Sequence, residues 1–219
     1  MSSHNEHRRG LPRGAPPRTV LLCRGEHMRT FFCIPLPDAA HEALHDVSEH
    51  LRRRTQMRAA WVRPSNYHIT LRFLGEIDPM LTVDLRDLAS TVTNTIPPFQ
   101  CTLNRVGAFP QLERARVVWV GGNAPDGFRE MSDVLNQGLI PLGFPRGRRE
   151  TVAHVTLARI KDRPDPALPS VIEAMNPLSP VHFLADRLVL MQSELSPQGA
   201  VYTPLFACAL GKEGRDGAD

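Results

Sequence analysis

The sequence predicts an α+β fold with largely antiparallel sheets. Strand-like runs flank each helical run, but without the strict alternation of a doubly wound sheet. No period of some tens of residues repeats along the chain, which excludes solenoids. The 219 residues are 42% hydrophobic and 22% charged, the make-up of an ordinary globular chain built as one large domain or two fused small lobes. That is enough apolar material for a core without disulfide or metal staples.

Residues 1–27 are rich in Arg, Gly and Pro and are expected to form a disordered extension. Met28 to Leu36 (MRTFFCIPL) reads as a buried first strand ended by Pro35 and Pro37. Asp38 is a candidate N-cap for a helix through about Met57, with Ala39, Ala43, Leu44, Val47 and Leu51 as its apolar stripe. Trp61 to Pro64 is a short extended link. Asn66 to Leu74 alternates like a strand, closed by Gly75. Residues 79–96 carry Leu81, Leu85, Leu88 and Val92 at helical spacing. Two strand-like runs follow, Phe99 to Phe109 and Arg116 to Val120, the second stopped by Gly121-Gly122. Residues 126–140 read as a third helix, 141–149 as a Gly/Pro/Arg loop, 150–160 as a strand and 167–175 as a short helix. Val181 to Met191 and Ala200 to Leu210 are the last strands, joined by the turn Ser196-Pro197-Gln198-Gly199. A single domain over 28–210 is expected, with 211–219 as a loose tail.

The formal net charge is only +3, so the chain is no polycation. Its 4 cysteines (Cys23, Cys33, Cys101, Cys208) are scattered with no C-x-x-C pair, which points to a reducing, cytoplasmic compartment. No run approaches the ~18 apolar residues of a membrane span, so no membrane partner is expected. Walker, dinucleotide and G-x-S-x-G signatures are absent. His41 and His45 stand four apart on a helix, a metal-compatible spacing, but no third ligand accompanies them. Neither a metal nor a cofactor is expected.

The informative feature is a pair of segments, His68-Ile69-Thr70-Leu71 and His154-Val155-Thr156-Leu157. With 9 histidines, a single H-x-T arises by chance about half the time, so one copy carries no weight. Two copies, both within apolar alternation, do. In a strand His and Thr of each copy share a face, about 6–7 Å apart, while the aliphatic residues enter the core. Two imidazoles with ordinary pKa near 6.5 suit a displacement at phosphorus with two proton transfers. One withdraws a proton from the attacking water and the other donates one to the departing oxygen. The threonine hydroxyls can hold the non-bridging oxygens.

On these motifs the chain resembles the 2H phosphoesterases, and within them the RNA 2′,3′-cyclic phosphodiesterase family, formerly called 2′–5′ RNA ligases. The resemblance covers Met28 to Leu210. It rests on the opening MRTFFCIPLP, on HITLRFLGE (68–76), on HVTLAR (154–159) and on LVLMQSELSPQGAVYTPL (188–205). It implies a bilobal fold in which each lobe gives one H-x-T motif to a central cleft about a pseudo-two-fold axis. It also implies hydrolysis of RNA 2′,3′-cyclic ends to 2′-phosphomonoesters, with His68 and His154 catalytic and Thr70 and Thr156 binding phosphate. Arg159 and Phe73 would line the site for phosphate contact and base stacking. Where similar members have Pro before the second His, this chain has Ala153. Arg159 and Phe73 each lie five positions after their His, so ideal alternation turns them to the opposite face. Their placement requires a bulge or twist.

Other readings stay open: reversible 2′–5′ joining of RNA ends, or a non-catalytic module that binds RNA ends. The expected partners are RNA with 2′,3′-cyclic phosphate ends or small cyclic nucleotides, met by a monomer. Two arginine clusters, Arg52-Arg53-Arg54 with Arg58 and Arg146 with Arg148 and Arg149, read as solvated surface or as an electrostatic rim for an RNA backbone. Ser193 in the late segment reads as structural or as an approach to the cleft.

Overall fold

The computed structural model describes residues 27–147, 152–197 and 199–211. The expected extension, apart from His27, and the tail beyond Gly211 lie outside the described residues, as do Arg148 and Arg149. The elements run β1 (Met28–Pro35), α1 (Asp38–Arg54), β2 (Ala59–Trp61), β3 (His68–Ile77), α2 (Leu81–Thr95), β4 (Phe99–Leu103), β5 (Arg105–Phe109), β6 (Val117–Asn123), α3 (Asp126–Leu139), β7 (Val152–Ile160), α4 (Leu168–Met175), β8 (Val181–Ala185), β9 (Arg187–Ser196) and β10 (Gly199–Ala209). The main sheet has the order β10-β9-β1-β3-β7-β6-β5, with β2 also on β7, and every pairing is antiparallel. Strands β4 and β8 form a second, two-stranded sheet.

The main sheet is two half-sheets joined at one point. Strands β10, β9, β1 and β3 form one lobe and β2, β7, β6 and β5 the other, and β3 meets β7 only at Ile69 and Val155. Both residues are fully buried. One face of the sheet carries Phe32, Ile34, Ile69, Leu71, Val118, Val120, Val155 and Leu157, which merge with the buried faces of the four helices into the main core. The alternate residues Phe31, Cys33 and Val189 form a smaller cluster with Met191 and Tyr202 on the other side. That second face is open for a cleft. Among the described residues no helix is long and apolar enough to cross a membrane.

Several local expectations are corrected. Helix α1 begins at Asp38 itself, with Pro37 in the N-cap position and no side-chain cap; the carboxylate still sits in the first turn, where the helix dipole favours it. The helix ends at Arg54, because Thr55 turns extended and its N–H and hydroxyl both donate to Leu51 O. Its buried stripe is Ala40, Leu44, Ser48 and Leu51, so Ala39 is exposed and Ala43 and Val47 are only half-buried. Trp61 ends a strand on β7 rather than opening a link. Asn66 belongs to a 3-10 turn (Pro64–Asn66), and Gly75, at φ +77°, is crossed within β3 rather than ending it. The runs 99–109 and 181–191 each divide, at Asn104 and Asp186, because their halves pair in different sheets.

The Gly121-Gly122 pair does not stop β6. Both residues lie in the strand, at positions that admit no side chain. A Cβ on Gly122 would stand 2.0 Å from Thr102 O, and one on Gly121 would stand 2.6 Å from Ala153 O and 3.0 Å from His154 Cβ. Backbone rather than a flexible side-chain tip is the obstacle. Gly122→Ala is therefore expected to cost about 1–3 kcal/mol of stability, measured by denaturant unfolding.

Candidate active site

The antiparallel pair Ile69–Val155 sets the two motifs head to tail. Extending that register places His68 across from Thr156 and Thr70 across from His154, about a two-fold axis through the aliphatic pair. The two histidines are diagonal neighbours, with backbone positions about 7–8 Å apart. That span brackets a single phosphate group.

Each motif then breaks register at its leucine. On β3, Cys33 faces Thr70 while Phe32 faces Arg72, so Leu71 is an extra residue. On β7, Trp119 faces Thr156 while Val118 faces Ala158, so Leu157 is the extra one. These are the bulges that alternation lacked. They bring Phe73 and Arg159 onto the face of the histidines and send Leu157 and Ala158, both fully buried, into the core. Arg72 is thereby turned away from the cleft and donates to Pro145 O.

A cavity of about 640 Å³ opens on this face. His68, Thr70, Thr156, Arg159 and Phe73 all line it, and so does Ser193. Phe73 is 53% exposed, an apolar ring left free at the cavity wall. His154 is not part of the wall; its half-buried ring lies at the edge, 5.0 Å from Phe109 and 6.0 Å from Trp119 between centroids. It is nonetheless close enough to act electrostatically on His68.

The two imidazoles are held in the same way. His68 Nδ1 lies 2.8 Å from Asn66 O and His154 Nδ1 lies 3.3 Å from Val152 O, in each case the carbonyl two residues earlier. A carbonyl only accepts, so each Nδ1 carries the proton. In neutral His68 this leaves a lone pair on Nε2, which stands 3.1 Å from Thr70 Oγ1 and accepts from that hydroxyl. Phe31 stacks on the ring at 4.7 Å and Tyr202 meets it edge-on at 5.3 Å.

Burial lowers the His68 pKa to about 4; the Asn66 hydrogen bond opposes this, and the charges of Arg159 and His154 add to it. His68 is thus neutral at physiological pH in the unliganded protein. An unfolded His68 titrates near 6.5, so between about pH 6.5 and 4 the unfolded chain binds more protons than the folded one. Stability is then lost as pH falls through that window, by about 3 kcal/mol at pH 4. Unfolding of the protein and of His68→Gln, measured at pH 7 and pH 4.5, should show that drop reduced in the variant.

Sequence reading missed Phe31, Tyr202, Asn66, Trp61, Arg29 and Arg63, all of which line the cavity. Only Arg29 and Phe31 carried a local signal, since residues two apart on a strand share a face. Of the arginine clusters, Arg52 lies over the Trp61 ring and pairs with Glu49, and Arg58 pairs with Asp162 at 2.9 Å; none of these or Arg146 lines the cavity. His41 packs edge-on against Tyr67. Among the described residues no group of three His, Cys, Asp or Glu is placed to hold a metal ion.

Comparison with known proteins agrees with this geometry. The family model described as LigT like Phosphoesterase matches residues 34–119 and 122–202, one span for each H-x-T motif. A relative from Aeropyrum pernix named RNA 2',3'-cyclic phosphodiesterase is 34% identical over 156 residues, covering 70% of this chain and 88% of the relative. One of the same name from Thermotoga maritima is 29% identical over 181 residues, covering 83% and 95%. Among solved structures, TT0787 of Thermus thermophilus superposes with a TM-score of 0.71 at 28% identity, covering 85% of this chain and 100% of that one. Escherichia coli LigT in apo form gives 0.66 at 27% identity, covering 86% and 100%. With the family model spanning both lobes and each of its halves containing one H-x-T motif, the chain belongs to the LigT-like phosphoesterases of the 2H group.

Proposed function

We propose that the protein hydrolyses RNA 2′,3′-cyclic phosphate ends to 2′-phosphomonoesters by two-histidine acid–base catalysis. The observation that carries this reading is the head-to-tail facing of the two motifs across one ladder pair. The relatives' name, RNA 2',3'-cyclic phosphodiesterase, supports the same reaction. A phosphate between the motifs meets one His and one Thr from each side. One imidazole takes a proton from water as its oxygen bonds to phosphorus. The P–O3′ bond breaks in line, and the other imidazole gives its proton to the departing O3′. The threonine hydroxyls and Arg159 hold the non-bridging oxygens, whose charge grows along the path.

Burial and mutual repulsion keep the pair from being doubly protonated, and the bound phosphate anion favours the one proton that the reaction needs. The kcat/KM profile is bell-shaped with values that belong to the pair rather than to either ring. Its acid limb is expected below the ordinary imidazole range, because burial lowers the His68 member of the pair.

All the residues that line the cleft come from one chain, so the proposed chemistry needs no second subunit. Cys33, Cys101 and Cys208 form no disulfide among the described residues, which supports a reducing, cytoplasmic setting; burial pushes the first two thiols up to about 12 and keeps them protonated. An oligonucleotide with a cyclic end, incubated with and without a 5′-hydroxyl partner strand, tests hydrolysis against joining. A 2′-phosphomonoester alone is expected in both; a joined strand as main product would overturn the reading.

A further inference from the structure

We propose that the cleft holds a second phosphate position, at Arg29, for the phosphodiester one nucleotide upstream of the cyclic end. This rests on the cyclic-phosphate reading of the histidine pair and narrows its substrate class to polynucleotide ends over mononucleotides.

The reacting phosphate accounts for Arg159 but not for Arg29. Arg29 lies on β1 at the far end of the same cavity, exposed and on the same strand face as Phe31 and Cys33. Cys33 is the partner of Thr70 and Phe31 of Phe73, so the β1–β3 ladder lays out an order: histidine motif, aromatic pair, guanidinium. From Cys33 to Arg29 the strand advances about 13 Å. An arginine side chain reaching back over part of that rise leaves room for one nucleoside between two phosphates. The intervening surface suits a nucleoside, since the Phe73 ring is largely exposed and is backed by the buried Phe31, 5.6 Å away between centroids.

Two further observations bear on charge. Among the described residues no Asp or Glu lines the cavity, although Glu76 stands opposite Arg29 on the ladder. Tyr202 senses both ends: burial raises its phenol pKa, while Arg159 and Arg29 each pull it back down. Both guanidiniums line the cavity and act on the Tyr202 side chain in its wall. A mononucleoside cyclic phosphate offers a single anion to this arrangement, and a dinucleotide with a cyclic end offers two.

The test compares kcat/KM for adenosine 2′,3′-cyclic phosphate and for the adenylyl dinucleotide ending in a 2′,3′-cyclic phosphate. The wild-type protein should prefer the dinucleotide by about tenfold, one charged hydrogen-bonded contact. In Arg29→Gln that ratio should fall toward one, and the log–log salt slope on the dinucleotide should become shallower by about 0.7. A general loss of structure would lower both substrates and leave the ratio intact. Equal rates on the two substrates in the wild-type protein, or an unchanged ratio in Arg29→Gln, would overturn the second position. If neither substrate turns over, the hydrolytic reading fails by itself. Calorimetric binding of the dinucleotide and mononucleotide 2′-phosphates then decides the Arg29 site, with equal affinity in the wild type counting against it.

Discussion

Replacing His154 with alanine is expected to lower kcat/KM on a 2′,3′-cyclic phosphate by about 10²–10⁴-fold, the usual worth of a positioned proton-transfer group. His68→Ala should fall in the same range. The double variant should fall little further, because a proton removed on one side has no use without one supplied on the other. Neither ring anchors the core: both are half-buried beside aromatic residues on the cleft face, away from the helices. Circular dichroism and melting temperature should therefore change little. His154→Asn, which retains a polar group of similar reach, separates lost chemistry from lost packing against Phe109 and Trp119. Asparagine cannot transfer the proton, so its activity should stay as low as that of alanine. Undiminished hydrolysis by a folded His154→Ala protein would remove the two-histidine mechanism.

Arg159→Met should lower kcat/KM by about 10²–10³-fold, as loss of a donor to the developing oxyanion does. The same substitution has a second, independent signature. Arg159 is one of the charges that depress the His68 pKa, so removing it raises that pKa from about 4 toward its ordinary value. The acid limb of kcat/KM then moves to higher pH in the variant. A residue that merely supported the strand would lower the rate and leave the limb where it was. Arg159→Lys should restore the position of the limb more fully than the rate, because ammonium replaces the charge but not the forked donor geometry. A rate within twofold of wild type in Arg159→Met, with no shift of the limb, would take Arg159 out of the phosphate site.

The parts of the fold that could be read from sequence are those whose signal is local. The alternation in His68–Leu71 and His154–Leu157 gives strand, face and burial together, and the structure keeps all three. The helices announce themselves by their 3.6-residue spacing; in α1 Leu44 and Leu51 keep the expected stripe, while Ala40 and Ser48 are buried in place of Ala39 and Val47. What failed was what depends on a partner strand. Asn104 and Asp186 are ordinary residues in their runs, and only the existence of two sheets turns them into boundaries. Gly121 and Gly122 carry the composition of a turn, yet serve close approach to Ala153 and Thr102.

The same division runs through the site. The histidines and threonines lie within two short motifs and can be found without a structure. The facing of Phe73 and Arg159 depends on the bulges at Leu71 and Leu157, and a bulge is a property of the register between strands rather than of either strand. Phe31 reads as core from its apolar run and is indeed only 1% exposed, yet one face of its ring supports His68. Tyr202 arrives from β10 at the far end of the chain. Nothing near it in sequence marks it as a neighbour of the first motif.

The most direct measurement is the hydrolysis of an oligoribonucleotide with a 2′,3′-cyclic end by the purified protein in excess chelator, followed by phosphorus NMR of the product. Two imidazoles acting on one phosphorus atom should give turnover without added metal and, beside the internal phosphodiesters, one monoester resonance, that of the 2′-phosphomonoester. Failure to open the ring, a requirement for metal, or a 3′-phosphomonoester as the product would contradict the chemistry assigned to His68 and His154.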